Sequence, residues 1–478
     1  MFSTDDTIVA IATPPGRAGI GVIRISGPDA IGIAARLTGR PPAFEPRRAT
    51  FTRVQDLNRI EADTASASVA ARHAAGDPET TGVASRAIDQ AVVTVFPAPG
   101  SYTGEDVVEL AAHGSPLLLE RIVASAVRAG ARLAAPGEFT LRAFLNGRMD
   151  LVQAEAVADL IDAVTPAQAR QAFDQLEGTL TRAMAQIGDA LFDLVVRLEA
   201  SLDFPDEGYH FIVPEEAATG LDRVLTDVRD LLTTAHSGRV LREGRQVAII
   251  GGTNVGKSSL FNVLVGANRA IVTDIAGTTR DLLTERSDID GIPVTLVDTA
   301  GLRETEEVVE REGVIRARGA AAVADLSLIV LDGSMPLRDE DRSFLDRPPA
   351  TALVVINKVD LPRAWTPDAL GTLRGEPIEV SVRSGHGVSA LRQAMCGALV
   401  GQERLRDTVG LSNIRHIELL RRVEDNVRRA RDQARARSPE EFVLADVHDA
   451  MAALDEITGK RSSEDVLQAI FGRFCIGK

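Results

Sequence analysis

The sequence predicts a multidomain α/β protein in three parts: an N-terminal α+β domain, a helical domain, and a parallel-sheet α/β domain inserted between two helical segments. Three observations carry this expectation. Strand-like and helix-like runs alternate from Val247 to about Val400, and the strands Val247–Ile250, Val294–Val297, Leu326–Leu331 and Ala352–Ile356 lack polar alternation. Such runs suit parallel strands covered on both faces. Helix-period, charge-rich sequence flanks that block, from Asp150 to about residue 242 and again after residue 404. Residues 1–146, in contrast, mix short apolar runs with Gly and Pro, the texture of strands joined by turns.

Taken in order, IGVIRISG (20–27), QAVVTVFPAPG (90–100) and EDVVELAAHG (105–114) read as strands. Between the first two, residues 57–88 are rich in Ala, Asp, Glu and Thr and read in part as a mobile surface insertion. At Asp150 the texture changes. Asp150 with Gln153 can form a capping box, and an amphipathic run follows through Leu151, Ala154, Ala158 and Ile161. The domain expectation is therefore 1–146, then 147–243 with 404–478 as one discontinuous helical domain, and 244–403 as the insertion. The 478 residues have room for two to four domains.

Composition narrows the class. Hydrophobic content of 45% and charged content of 25% are those of an ordinary globular protein. Two cysteines cannot build a disulfide framework, which points to a reducing compartment, and a cytoplasmic location is expected. MFSTDDTIVAIATPPG carries no secretory pattern, and no apolar run reaches membrane-spanning length. A net charge of −15 argues against a broad nucleic-acid surface, though not against a local patch. Arg421, Arg422, Arg428, Arg429, Arg431, Arg435 and Arg437 cluster, and read as a solvated helix face balanced by Glu424, Asp425 and Asp432.

The chemistry lies in the insertion. Gly251-Gly252-Thr253-Asn254-Val255-Gly256-Lys257-Ser258 fits G-x-x-x-x-G-K-S, preceded by a strand and followed by the helix-forming SSLFNVLV that begins at Ser258 and Ser259. Glycines let backbone N–H groups close on phosphates, and the helix N-terminus adds positive potential. Lys257 is expected to reach the β- and γ-phosphates, and the Ser258 hydroxyl to ligate Mg²⁺. Asp298-Thr299-Ala300-Gly301 closes a strand and puts a carboxylate near that Mg²⁺ and the Gly301 amide near the γ-phosphate. Asn357-Lys358-Val359-Asp360 closes another. The Asp360 carboxylate can accept from guanine N1–H and the 2-amino group together, whereas adenine offers an acceptor at N1 and no 2-amino group. Ser381-Val382-Arg383 stands where a loop would back the base, with Val382 in place of the usual alanine. Thr279, within TDIAGTTRD (273–281), is the expected switch threonine, ordered by γ-phosphate and Mg²⁺. The loop Thr273, Asp274, Ile275, Ala276, Gly277 and Thr278 completes the expected GTP contacts.

Ras-like GTPases orient the attacking water with a glutamine directly after the D-x-x-G glycine. Here Leu302 stands there and cannot do so. Some other group must place the water and offset transition-state charge. GLRETEEVVEREG supplies several carboxylates, and Arg280 or Arg303 could serve as cations; residue physics alone does not choose among them.

ATPPGRAGIGVIRISG (12–27), SYTGEDVVEL (101–110), PGEFTLRAFLNGRMDLVQAEAVADLIDA (136–163), DFPDE (203–207), TDIAGTTRD (273–281), DTAGLRE (298–304) and the terminal FCIGK (474–478) closely resemble the MnmE (TrmE) family of tRNA-modification GTPases. The resemblance spans nearly the whole chain. It implies a homodimer that works with the FAD protein MnmG, as a heterotetramer, on carbon 5 of the wobble uridine of tRNA. Aminomethyl or carboxymethylaminomethyl groups are installed there from a folate one-carbon unit. It implies an N-terminal domain that binds 5-formyl- or 5,10-methylene-tetrahydrofolate and dimerises. It also implies GTP hydrolysis when two GTPase domains meet across bound K⁺, with Asn254, Thr273, Ile275 and Thr278 as K⁺ ligands. On the same pattern Glu310 orients the water, and is preferred over Glu306, Glu307 and Glu312 on resemblance alone.

For the folate, Arg24 shares a strand face with Ile20 and Val22, and Glu109 interrupts an apolar strand. A pterin presents the same 2-amino-4-oxo edge as guanine, so Glu109 is expected at that edge, with Arg24 as its ionic partner. The plain alternative is an internal ion pair. Arg148 stands where the family has lysine, which keeps the charge and changes the geometry, and Lys478 would complete the site. Cys396 reads as a core residue. Cys475, on the tail, could approach the folate or the base, or simply anchor the tail. The same nucleotide motifs occur in ribosome-assembly GTPases and membrane-remodelling GTPases. The first would need an RNA-binding appendage and the second a basic amphipathic segment, and the sequence suggests neither.

Overall fold

The computed structural model describes residues 5–57, 87–203, 211–266, 283–298, 319–370, 375–400 and 410–477. The 57–88 insertion lies almost wholly outside these residues. Among the described residues, no helix is long and apolar enough to cross a membrane. The chain divides into two compact units, Met1–Glu155 with Thr458–Lys478, and Ala156–Ile457.

The first unit is built on a six-stranded sheet. Its strands are β1 (Ile8–Ile11), β2 (Ala18–Ser26), β3 (Thr50–Gln55), β4 (Ala87–Phe96), β5 (Val107–Gly114) and β6 (Arg132–Leu133), in the order β3-β4-β5-β2-β1-β6. All pairings are antiparallel except β1 with β6. Side chains alternate across a strand, so Ile23, Ile25, Val93, Val95, Val108 and Leu110 share one face. They bury there with Ile33, Leu37, Leu119 and Ile122 of the helices Ala30–Thr38 and Pro116–Arg128. Each such apolar side chain contributes about 1.5–3 kcal/mol on burial. Arg24 and Glu109 fall on the opposite face.

Thr458–Lys478, which sequence patterning grouped with the helical segments, packs compactly with the N-terminal residues. The apolar partners explain this: Phe471 is buried, its ring centroid 6.3 Å from that of Phe144 and 5.5 Å from that of Phe474. Beyond the helix Glu464–Phe471 the tail bridges to Pro136 through Ile476, and Gly137 N donates to Cys475 O at 3.4 Å. Gly477 has φ +98°, and a Cβ there would collide with Ile11 O. Only glycine closes this tail against β1 without strain.

In the second unit, helices Thr179–Asp203 and Ile414–Arg435 each bury one stripe, Leu180-Met184-Ile187-Leu191-Leu194-Leu198 and Ile417-Leu420-Val423-Val427-Ala430-Ala434. The arginine cluster is balanced internally: Arg428 pairs with Asp425, Arg429 with Asp446, Arg431 with Asp432 and Asp222, Arg435 with Asp222, and Arg437 with Glu215. The capping box expected before the helix Leu151–Asp162 forms, with Gln153 N donating to Asp150 Oδ1 at 2.8 Å and Asp150 N to Gln153 Oε1 at 3.0 Å.

The second sheet comprises β7 (Arg245–Ile250), β8 (Leu283–Ile289), β9 (Ile292–Asp298), β10 (Leu326–Asp332), β11 (Ala352–Asn357) and β12 (Ile378–Glu379), ordered β12-β11-β10-β7-β9-β8. Every pairing is parallel except β8 with β9. Alternate residues of β7 and β10 enter cores on both faces, Val247 and Ile249 on one, Ala248 and Ile250 on the other. This is why the strands read as unbroken apolar runs.

Candidate functional site

Parallel strands end together, and ligands of open α/β sheets bind outside their carboxyl ends. Here those ends carry the motifs. Ile249 of β7 pairs with Asp298, the last residue of β9, and Asp332, the last of β10, pairs with Asn357, the last of β11.

The loop after β7 turns into the helix Lys257–Gly266. Gly256 adopts φ +100°, and a Cβ there would strike the Asn357 side-chain amide, so the motif glycine is required by contact as well as by conformation. Asn254 takes the left-handed conformation with φ 61°, which asparagine tolerates better than most residues. Lys257 is buried, and its ammonium folds over the loop, donating to Gly251 O at 2.9 Å and Gly252 O at 2.6 Å. Burial pushes its pKa down, an effect partly opposed by the carboxylates of Glu340, Asp298 and Asp341. Ser258 and Ser259 are exposed on the first turn, with backbone N–H groups of a helix N-terminus beside them. A hydroxyl there and the buried Asp298 carboxylate are hard oxygen donors of the kind Mg²⁺ takes.

The Asn357–Asp360 segment is braced against this loop. Asn357 donates from Nδ2 to Val255 O at 2.9 Å and accepts from Val382 N at 3.3 Å. Lys358, with φ 64°, donates to Asn254 O at 2.8 Å and to Asp332 Oδ2 at 2.6 Å. Asp360 is exposed, and the buried Ser381 donates its hydroxyl to Asp360 Oδ1 at 2.7 Å. Val382, despite its departure from alanine, therefore joins the segment through its backbone, and Arg383 is exposed beside it.

Asp332 and Trp365 carry no motif and were missed from sequence. Burial pushes the Asp332 carboxyl up, but Lys358 and Ser334 outweigh it and hold it below the ordinary range. The available signal was positional: a strand-terminal aspartate one strand away from Asn357.

Thr273, Asp274, Ile275, Ala276, Gly277, Thr278, Thr279, Thr299, Ala300, Gly301 and Glu310 lie outside the described residues, as do Arg280, Leu302 and Arg303.

In the first unit Arg24 and Glu109 stand opposite each other on β2 and β5, and the guanidinium donates to Glu109 Oε1 from Nε at 3.0 Å and from Nη2 at 2.8 Å. Arg24 also lies over the rings of Tyr102 and Phe139, 5.0 and 5.7 Å from their centroids. The pair is half-buried and keeps Glu109 oriented. Arg148 is exposed, its stem beside Gly104. Cys475 is exposed, Cys396 is half-buried against the sheet core, and Lys478 lies outside the described residues.

A P-loop and a strand-terminal N-K-x-D at one edge of a parallel sheet define a P-loop GTPase. Residues 7–148 match the family description "GTP-binding protein TrmE N-terminus", and residues 151–475 match "MnmE helical domain". The curated protein "tRNA modification GTPase MnmE" of Azoarcus sp. is 43% identical over 99% of this chain and 98% of its own length. Those of Nitrosospira multiformis and Symbiobacterium thermophilum are 40% and 43% identical over 100% and 99% of this chain, and over the whole of their own lengths. The chain belongs to the MnmE (TrmE) family of tRNA modification GTPases. Among solved structures, Era of Aquifex aeolicus is 25% identical over 38% of this chain and 66% of that chain, with a TM-score of 0.26, a partial likeness that adds nothing to the fold described above.

Proposed function

We propose that this GTPase acts on tRNA, coupling GTP turnover to modification of carbon 5 of the wobble uridine with an MnmG-type FAD protein. The group added is aminomethyl or carboxymethylaminomethyl, from 5-formyl- or 5,10-methylene-tetrahydrofolate. The observation that carries the nucleotide reading is the exposed Asp360 carboxylate, aimed by Ser381 and braced through Asn357 to the phosphate loop. Two N–H groups in line, as guanine offers, satisfy such a carboxylate.

Within this reading Asn254, Val255, Gly256, Lys257, Ser258 and Ser259 hold the phosphates, Ser258 and Thr279 ligate Mg²⁺, and Asp298 stands behind them. Lys257 and Thr279 act on the γ-phosphate, and Glu310 orients the water that Leu302 cannot. Mg²⁺ would neutralise charge on the phosphate oxygens. Asn254, with Thr273, Ile275 and Thr278, presents neutral oxygens suited to K⁺. Such a cation takes the place of an arginine finger, which would make turnover depend on a second copy of the chain. The chain would act as a cytoplasmic homodimer within a heterotetramer. Residues 1–146 form the folate and dimerisation domain, 147–243 with 404–478 the helical domain, whose last segment, Thr458–Lys478, packs with the N-terminal residues, and 244–403 the GTPase domain.

Glu109, Arg24, Arg148 and Lys478 are assigned to the folate. The Arg24–Glu109 pair supports this: Nε and Nη2 both donate to Oε1, which orients the carboxylate and leaves Oε2 for a ligand. Two measurements test the proposal. GTP hydrolysis is expected to be fast in K⁺ and slow in Na⁺, and slow in both for Glu310→Ala; potassium-independent turnover removes the cation assignment. Tetrahydrofolate binding should be lost in Glu109→Ala, and unchanged affinity removes the folate assignment.

A further inference from the structure

The guanine reading leaves one charged pair at the site without a role. Lys358 Nζ donates to Asp332 Oδ2 at 2.6 Å and to the Asn254 carbonyl at 2.8 Å. The Asp332 side chain is only 11% exposed, and its other oxygen accepts from Ser334 N at 2.9 Å and Ser334 Oγ at 2.6 Å. The carboxylate is thus fixed from both sides before any ligand arrives.

The same strand end pins the loop that follows Asp360. Asp332 O accepts from Trp365 Nε1 at 3.0 Å, and Ala364 N donates to Gly333 O at 3.0 Å. Lys358 itself sits at φ 64°, a conformation a lysine leaves unless held. A four-carbon stem ending in a solvated ammonium has many rotamers, and an anionic partner with low exposure selects one.

We propose that Asp332 is a positioning residue for guanine recognition: it fixes Lys358 across the phosphate loop, so that Asn357, Lys358 and Asp360 meet the base as one preorganised block. Asp332 touches neither base nor phosphate. Its effect runs through Lys358, and it serves binding of the nucleotide rather than the hydrolytic step. This rests on the guanine reading of Asp360.

A double-mutant cycle tests it, using GDP binding and GTP turnover. Asp332→Asn keeps the side chain's shape and its acceptor toward Ser334 while removing the charge. It is expected to weaken GDP and raise the KM for GTP by about tenfold, the size of one charge-assisted hydrogen bond, with kcat unchanged. Lys358→Met should weaken GDP at least as much, and adding Asp332→Asn to it should change little further. Emission from Trp365, the chain's single tryptophan, reads binding in the same samples. Effects that multiply, or a fall in kcat at constant KM, overturn the role assigned to Asp332. Wild-type protein that holds ADP as well as GDP overturns the guanine reading and this inference with it; wild type that prefers GDP, with multiplying effects, overturns only the inference.

Discussion

Ser381 donates its hydroxyl to Asp360 Oδ1 at 2.7 Å, and so decides which way an exposed carboxylate faces. A free aspartate at a surface would sample several rotamers; this one is held with its second oxygen open. The consequence is a specificity that can be rewritten. Asp360→Asn replaces one acceptor with a donor, which opposes the guanine 2-amino group and matches a carbonyl at the same place. GTP affinity is expected to fall about 100-fold, with xanthosine triphosphate now preferred. Competition binding with the two nucleotides checks it, and a variant that still favours GTP contradicts it.

Lys257 is buried with both visible hydrogen bonds made to loop carbonyls, so its charge is aimed before nucleotide binds. Lys257→Ala is expected to reduce GTP hydrolysis at least about 100-fold, since a preorganised charge at the transferred phosphoryl group is lost. Steady-state phosphate release at saturating GTP measures this.

Gly477 closes the tail against β1, where any side chain would meet Ile11 O. Gly477→Ala should detach the last residues without unfolding the sheet. The checks are faster proteolytic loss of the tail and weaker tetrahydrofolate binding, with GTP binding unchanged. A tail that stays protected would show that the contact is dispensable.

The first unit should be acid-sensitive for a definable reason. Arg142 is 1% exposed and meets Asp6 at 2.6 Å, Glu138 at 3.0 Å and Glu105 at 3.2 Å. Arg132 draws the Asp6 carboxyl down; at Glu138 burial pushes up, but Arg132, the Ala135 amide and Arg142 together prevail and lower it. Carboxyls depressed in the folded state stabilise it above their ordinary values, 3.8 and 4.5, and that stability is lost as pH falls through the lowered values. Glu138→Gln is expected to cost about 2 kcal/mol at pH 7, below the range for a lone buried pair because Asp6 and Glu105 still face Arg142. Hydrogen exchange of β1 and β2 amides should show that gap narrowing below pH 4.5. A gap independent of pH would contradict the assignment.

Much of this was legible in the sequence because the signals are local. The strand-to-helix turn at residues 251–258, the strand-terminal Asn357-Lys358-Val359-Asp360 and the Asp150–Gln153 cap are each contained within a few residues. Arg24 and Glu109 were legible too, as charges on strand faces expected to pair, and the β2–β5 register sets them directly opposite each other. Asp332 was not, because its meaning depends on a partner on the neighbouring strand and no motif marks it. The docking of Phe471 and Gly477 was hidden for a similar reason: helix-period sequence shows an apolar stripe but not which distant surface covers it.

Equilibrium binding of GTP and ATP to the purified chain tests the central claim most directly. A carboxylate fixed by Ser381 should hold GTP and reject ATP by at least about 100-fold. Equal retention of both nucleotides, or of neither, would contradict it.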